Sequence, residues 1–199
     1  MIPLTIVVED DLSEALTRKL VVSIKRFEIH LCLDKRGASY LEKNIAKFQK
    51  AARHQPYLVV TDLDNPSRCP AILCHDWLGR HPEPHLLFRV AVMESESWLL
   101  AHREAAVEHL KINARKAKIP DNTDSLPDPK QFLVNLARRS RSRRIRDELV
   151  PPPGSTSQVG PNYNANLSIF IRNLWDPEIA ARHSPSLQRT LYRLTNFQL

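Results

Sequence analysis

The alternation of strand-like and helix-like segments over residues 1–105 constrains this chain more than any other feature of its sequence. Four short runs are rich in β-branched and apolar residues, at positions 4–8, 27–33, 57–60 and 86–93. Apolar residues recur at helical spacing in the segments 12–24, 39–53, 71–78 and 94–110. Strands that alternate with helices are typical of βαβ units with parallel pairing and right-handed crossovers. The sequence therefore predicts an α/β domain with a mainly parallel four-stranded sheet flanked by helices.

Beyond residue 110 the strand pattern stops. Residues 128–149 are predicted to form one helix, which the prolines of residues 151–153 end, and two short helices are expected at 166–174 and 186–194. The sequence thus predicts a metal-binding domain over 1–110 and a basic helical C-terminal extension over 111–199. Residues 1–100 hold 13 Lys or Arg and 13 Asp or Glu, whereas the remainder holds 16 and 9. The excess of +7 predicts an anion-binding surface or a plain basic tail in the second half.

Composition argues against a membrane partner and against a disulfide-stabilised secreted domain. No apolar run approaches the roughly 18–20 residues that a membrane-spanning helix needs, and the first residues lack the features of a secretory signal. Cys32, Cys69 and Cys74 form no disulfide framework, which predicts reduced thiols and a cytoplasmic protein. Cys69 and Cys74 also fit no standard zinc spacing with the nearby histidines, so a partly buried thiol is expected instead.

Acidic residues follow three of the four predicted strands. Glu9 follows the first strand, Asp62 and Asp64 follow the third, and Glu94 and Glu96 follow the fourth. Because ligands of open parallel sheets bind beyond the carboxyl ends of the strands, we expect these carboxylates to share one edge. Side-chain alternation further predicts that both carboxylates of the Asp-x-Asp pair point the same way. Crowded carboxylates repel one another, so the pattern predicts a site for a hard divalent cation, Mg²⁺ or Mn²⁺.

Three segments of the chain together resemble the Toprim fold. They are residues 8–14 (VEDDLSE), 60–64 (VTDLD) and 93–101 (MESESWLLA). The resemblance is closest to a Toprim-related family of bacterial proteins of unknown function, often found near ATPases and mobile-element defence genes. Asp128-Pro129-Lys130 and residues 184–189 (SPSLQR) are similar to the tail of that family, so the resemblance covers most of the chain. It implies a Toprim-like, Rossmann-like fold.

The resemblance also implies roles for individual residues. Toprim domains occur in topoisomerases, primases and the nucleases that accompany overcoming-lysogenization-defect ATPases. By position, Glu9 would act as general acid or base while Asp62 and Asp64 hold Mg²⁺, and these three are the expected catalytic residues. Glu14 matches the second acid of the first motif, and the choice between Glu94 and Glu96 for the last motif stays open. The full set of expected metal ligands is Glu9, Glu14, Asp62, Asp64, Glu94 and Glu96.

Asp10 is the one departure from the family pattern. The family usually has glycine directly after the first glutamate, and glycine lets a phosphate approach the backbone closely. Asp10 and Asp11 are instead predicted to cap the helix that follows.

The reaction that the resemblance implies is metal-assisted cleavage of DNA or RNA by a Mg²⁺-dependent Toprim-type endonuclease. The family context implies an effector of bacterial anti-phage or anti-plasmid defence that acts with an ATPase, and the sequence leaves assembly into a homo-oligomer open. The alternative is a non-catalytic Toprim-like scaffold that docks on an ATPase complex. Phosphatase chemistry of the haloacid-dehalogenase type ranks last, because it places the Asp-x-Asp pair at the first strand.

Six arginines fall within nine residues of the predicted helix 128–149. Such a tract could grip nucleic-acid phosphates, or it could form a solvated or partner-facing helix, and the sequence favours neither. The expected nucleic-acid contacts are Arg138, Arg139, Arg141, Arg143, Arg144 and Arg146.

Overall fold

The computed structural model of the protein describes residues 1–33, 36–65 and 69–199. Within them the sheet has the strands β1 (Ile2–Val7), β2 (Phe27–Leu33), β3 (Tyr57–Asp62) and β4 (Leu86–Ala91). The first helices are α1 (Asp11–Ile24), α2 (Ala38–Ala52), α3 (Pro70–Leu78), α4 (Ser95–Ala101) and α5 (Arg103–Leu110). They are followed by α6 (Ala114–Ala117), a 3-10 turn (Thr123–Ser125), α7 (Pro129–Arg138), α8 (Arg143–Leu149), α9 (Tyr163–Asn173), α10 (Pro177–Ala180) and α11 (Pro185–Thr195).

The four strands form one parallel sheet in the order β2-β1-β3-β4. The predicted α/β class with a parallel four-stranded sheet flanked by helices, and with a helical C-terminal region, is confirmed. The chain leaves β1 towards β2 and then crosses back to β3 on the other side of β1. The point at which the strand order reverses therefore lies between β1 and β3, and such switch points are where open α/β sheets bind their ligands.

Helices cover both faces of the sheet. The face that carries Leu4, Ile6 and Leu58 packs against α1 and the C-terminal helices, whereas the face that carries Val7 and Val59 packs against α2 and α3. Because the crossover from β1 to β2 runs opposite to the later ones, right-handed connections put α1 on one face and α2 and α3 on the other. The assignment of each helix to one face of the sheet thus follows from the strand order and from the right-handed crossover connections.

The C-terminal helices share the larger hydrophobic core with the sheet. Trp98 of α4 and Trp175, between α9 and α10, are both fully buried in it. The Trp175 indole N–H donates to the Trp98 carbonyl (3.0 Å), and the Trp98 indole N–H donates to Ser186 Oγ (2.7 Å). Residues on both sides of position 110 therefore contribute to one continuous core.

Two helices that the sequence predicts as continuous are each divided, and this part of the prediction is wrong. The predicted helix 94–110 breaks at His102, whose Nδ1 accepts from the Asp176 backbone N–H (2.9 Å). The predicted helix 128–149 breaks between α7 and α8, where Ser140 is buried. There the Arg141 N–H donates to the Lys111 carbonyl (3.1 Å), and the Arg146 guanidinium donates to the Ser140 carbonyl (2.5 Å). Tertiary hydrogen bonds thus replace helical ones at both breaks.

Candidate metal centre

The carboxyl ends of β1, β3 and β4 form what we call the acidic edge of the sheet. It consists of Glu9, Asp62, Asp64, Glu94 and Glu96. The structure brings these five predicted residues together, because the pKa values of Glu9, Asp62, Asp64 and Glu96 are each raised by the charge of at least one other member of the set.

Glu9 links β1 to β3 across the switch point. Glu9 Oε1 accepts from the Asp62 backbone N–H (3.0 Å) and from the hydroxyl of the buried Thr61. Burial raises the pKa of Glu9, hydrogen bonds from Thr61 and Asp62 oppose that rise, and the charges of Asp64 and Asp10 add to it. The carboxyl is therefore fixed in place while its charged form is disfavoured.

Asp62 is the last residue of β3. Its Oδ1 accepts from Ser95 Oγ (2.6 Å). Burial is the main cause that raises the Asp62 pKa well above its usual value, followed by the charges of Glu96 and Glu9. A neighbouring cation would favour the charged form of Asp62 and so oppose both effects.

Asp64 lies past the end of β3 with a left-handed backbone (φ 53°). Its N–H donates to the carbonyl of Met93 (2.9 Å), which is also left-handed (φ 67°). Strand alternation therefore does not set the direction of the Asp64 side chain, and the predicted reason for its alignment with Asp62 is wrong. Burial raises the pKa of Asp64, Lys130 lowers it and Glu94 raises it, so Asp64 still belongs to the acidic edge.

The structure distinguishes the two glutamates that the sequence left as equal candidates. Both oxygens of Glu94 are engaged by Lys130, with Oε2 accepting from the backbone N–H (2.9 Å) and Oε1 from Nζ (2.7 Å). Glu96 is 1% exposed, and its Oε1 accepts from the Tyr163 hydroxyl (3.0 Å). Burial raises the Glu96 pKa to about 7, although Lys130 opposes the rise. Glu96 also lines the same pocket as Asp62, whereas Glu94 is paired with Lys130, and the choice between them as a metal ligand stays a prediction.

Lys130 and Tyr163 are site residues that sequence reasoning missed. Lys130 Nζ lies 2.7 Å from Glu94 Oε1 and 4.0 Å from Glu96 Oε1. Burial acts to lower the Lys130 pKa, but the charges of Glu96 and Glu94 outweigh it and the pKa is raised. Asp128 caps α7, so Lys130 lies in its first turn, where the helix dipole disfavours a cation. That unfavourable placement was a usable signal for Lys130, whereas Tyr163 gave none.

Glu14 lies on α1 and lines a groove between α1 and α9. Its carboxylate accepts from Arg18 Nε (2.7 Å) within α1, and Arg18 lines the same groove. Glu14 therefore forms an ion pair within α1, and its predicted role as a metal ligand stays a prediction.

Asp10 caps α1, as predicted. Its Oδ1 accepts from the Ser13 N–H (2.7 Å) and from Ser13 Oγ (2.8 Å). The residue that stands where the resembled family has glycine thus has a structural role of its own.

Replacing Asp10 with Ala is expected to lower the free energy of unfolding by about 1 kcal/mol, because two donors in the first turn of α1 lose their acceptor. Urea denaturation measures the loss. Asp10→Asn is the matched control, since it removes the charge but retains a capping oxygen. Equal stability of Asp10→Ala and wild type would show that the cap contributes nothing.

A pocket of about 230 Å³ opens beside the acidic edge. The acidic edge contributes Asp62 and Glu96, and the C-terminal helices contribute Lys130 and Tyr163. Its remaining lining residues are Asp10, Leu12, Ser13, Ser95, Gln158, Val159 and Asn164. The site is therefore assembled from both halves of the sequence.

The donor chemistry of the pocket suits a hydrated hard cation. Across the residues described, no three His, Cys, Asp or Glu side chains form a ready-made metal cage. Mg²⁺ does not need one, since it keeps several waters and is commonly bound through one or two carboxylates. Thr61, Ser95 and Tyr163 each orient one carboxylate of the edge, as outer hydrogen-bond donors do around metal ligands. The residues present fit Mg²⁺ or Mn²⁺ held with water.

The six arginines of the predicted phosphate-binding tract do not form one stripe. Two form ion pairs within α8, Arg143 with Asp147 (3.4 Å) and Arg144 with Glu148 (2.7 Å). The guanidinium groups of Arg139 and Arg146 donate to backbone carbonyls of Lys116 and Ser140. Arg138 and Arg146 line an open groove of about 590 Å³ with the prolines 151–153. Contact of this region with nucleic acid stays a prediction, as it does for Arg141.

Helices in the described ranges are too short or too polar to span a membrane. Comparisons with protein-family models, curated proteins and solved structures found no match to this chain. The Toprim resemblance therefore stays a prediction, and function has to be inferred from the geometry of the acidic edge.

Proposed function

We propose that this chain is a Mg²⁺- or Mn²⁺-dependent nuclease that hydrolyses phosphodiester bonds of DNA or RNA. The observation that carries the proposal is the convergence of Glu9, Asp62 and Glu96 with the ammonium group of Lys130 beside one pocket at the switch point. Carboxylates that can hold a hard cation beside a lysine suit an anionic phosphodiester better than a neutral substrate. The resemblance adds the expected setting, a cytoplasmic defence system with an ATPase partner.

Each group has a definable role in such a reaction. Asp62 would hold the cation together with Glu9, Asp64 or Glu96, and the bound cation would polarise the phosphate and activate water. Lys130 lies where its ammonium can neutralise a phosphate oxygen beside the carboxylates. Glu96, with a pKa of about 7, can accept or release a proton at neutral pH, and it is an alternative to Glu9 for that task.

The test is a cleavage assay on plasmid DNA and tRNA with Mg²⁺, with Mn²⁺ and with EDTA, in the presence and absence of an associated ATPase. We expect metal-dependent cleavage that falls by roughly tenfold or more in Glu9→Gln and in Asp62→Asn, because each loses a charged ligand candidate. Glu42→Gln, an exposed acid on α2, is the matched control. Cleavage that persists in EDTA or survives both site variants would overturn the proposal.

The second candidate is a non-catalytic scaffold that docks on an ATPase. It is favoured by the engagement of both Glu94 oxygens by Lys130, which partly neutralises the acidic edge without a metal. Titration of the purified chain with Mn²⁺, followed by electron paramagnetic resonance, separates the two candidates. Absence of both Mn²⁺ binding and cleavage, with stable co-elution of a purified ATPase, would establish the scaffold function.

A further inference from the structure

Three arginines meet where α11 crosses β4, and we call them the α11–β4 arginine patch. Arg89 lies on β4 between Leu87 and Ala91, whose side chains are buried on the face that α11 helps to cover. Arg189 and Arg193 lie one helical turn apart on α11, and both are exposed. Buried Leu187 and Leu194 fix which side of α11 faces the sheet. The patch therefore has a rigid base on a strand and a packed helix.

Arg89 has two other arginines among its charged neighbours. The guanidinium is partly buried, and its Nε donates to the Phe88 carbonyl (2.5 Å). Burial lowers the Arg89 pKa, Arg193 and Arg189 lower it further, and the Cys74 thiol opposes them. Among the described residues, no carboxylate forms an ion pair with any of the three arginines.

Arginines at the same spacing on other helices have acidic partners. Arg18 pairs with Glu14 four residues away on α1, and Arg144 pairs with Glu148 on α8. On α11 the residue four positions from Arg189 is a second arginine, and like charges at this spacing repel. A partly buried cation with two further cations nearby and no carboxylate partner among the described residues is unfavourable unless an anion is brought to it.

We infer that the α11–β4 arginine patch binds the phosphodiester backbone of a nucleic acid, an inference that rests on the proposed nuclease function. Guanidinium groups bind phosphates through paired hydrogen bonds. Four helical residues separate Arg189 from Arg193 by roughly 6 Å along the axis, so the two guanidinium groups can reach different phosphates of one strand, whose charges follow one another at about 3.4 Å along the duplex axis. The patch is distinct from the arginine tract on α7 and α8, where four of six guanidinium groups already have partners among the described residues.

The test measures binding of a fluorescent DNA duplex and of a single-stranded RNA by anisotropy in EDTA, over a series of salt concentrations. Arg189→Gln/Arg193→Gln should weaken binding by about tenfold and lower the slope of log K against log salt by about two, since each phosphate contact contributes roughly 0.9. Lys43→Gln/Lys50→Gln on α2, on the opposite face of the sheet, removes the same charge as a control. Both doubles replace exposed residues, and thermal unfolding checks that they fold.

Three outcomes would overturn the inference. The patch and control variants could lose equal affinity, Arg138→Gln/Arg141→Gln alone could lower the slope, or polyglutamate could bind the patch as tightly as nucleic acid does. The last outcome would identify an acidic protein partner instead. Because binding is measured without metal, a chain that binds through the patch but never cleaves would refute the nuclease proposal alone. If the wild-type chain cleaves nucleic acid but Arg189→Gln/Arg193→Gln binds it with unchanged affinity, only the inference about the patch is refuted.

Discussion

Lys130→Met is expected to lower the free energy of unfolding by about 3 kcal/mol in metal-free buffer at neutral pH. The substitution keeps most of the apolar stem but removes the ammonium group that lies 2.7 Å from Glu94 and 4.0 Å from Glu96. Those carboxylates would then remain partly or fully buried next to Asp62 without a cation. Urea denaturation in EDTA measures the loss.

Two controls separate lost charge from lost packing. Lys130→Arg keeps a cation on a similar stem and should retain most of the stability. Lys130→Met should destabilise the protein less in a Glu94→Gln background, because Glu94→Gln removes one of the repelling carboxylates that the lysine neutralises. A double-mutant cycle measures this coupling. Addition of Mn²⁺ should restore part of the stability of Lys130→Met if the acidic edge binds metal. Equal stability of Lys130→Met and wild type in EDTA would show that the ammonium group does not hold the acids together.

Glu96→Gln is expected to reduce the pH dependence of stability between about pH 4.5 and pH 7. The Glu96 pKa in the folded protein is about 7, above its ordinary value of 4.5. In this range the folded state binds more protons than the unfolded state, so stability is highest below pH 4.5 and falls as the pH rises to 7. At about 1.36 kcal/mol per pKa unit the fall is on the order of 3 kcal/mol.

Unfolding of wild type and variant in EDTA from pH 5 to pH 8 measures this effect. Glutamine keeps an oxygen that can accept from the Tyr163 hydroxyl, so at pH 8 Glu96→Gln should be the more stable protein. A smaller slope of the same sign should remain, because burial also raises the pKa of Glu9, Asp62 and Asp64. Glu42→Gln should leave the wild-type slope intact. If the unfolding free energy of Glu96→Gln depended on pH as steeply as that of wild type, the titrating group would not be Glu96.

The sheet and its acidic edge could be predicted because local patterns determine them. The predicted strand 27–33 matches β2 at both ends, and the cap at Asp10 follows from a residue type that favours helix starts. Parallel strands have their carboxyl ends at one edge, so Glu9 lies beside Asp62. The neighbouring Thr61 hydroxyl donates a hydrogen bond to Glu9 across 52 residues of sequence. The class of fold thus needed no long-range information.

The partners of the acids could not be predicted in the same way. Tyr163 reaches Glu96 across 67 residues, and Lys130 reaches Glu94 across 36. Both contacts depend on how the C-terminal helices pack, and no periodicity encodes that packing. The helix breaks at His102 and Ser140 escaped prediction for a related reason, since their backbone partners come from distant segments.

The contribution of the C-terminal helices to the pocket has a consequence for the order of events during synthesis. A nascent chain that has emerged up to residue 110 already carries Glu9, Asp62 and Glu96, yet it lacks the ammonium of Lys130 and the hydroxyl of Tyr163. It also lacks α11, which packs on β4 at the edge of the sheet. The parallel sheet can therefore reach its final packing only after translation has passed these helices, and the carboxylates would stay mutually repelled until then. A ribosome-bound fragment that ends near residue 110 would thus be unable to form the complete pocket, because Lys130 and Tyr163 have not yet been synthesised.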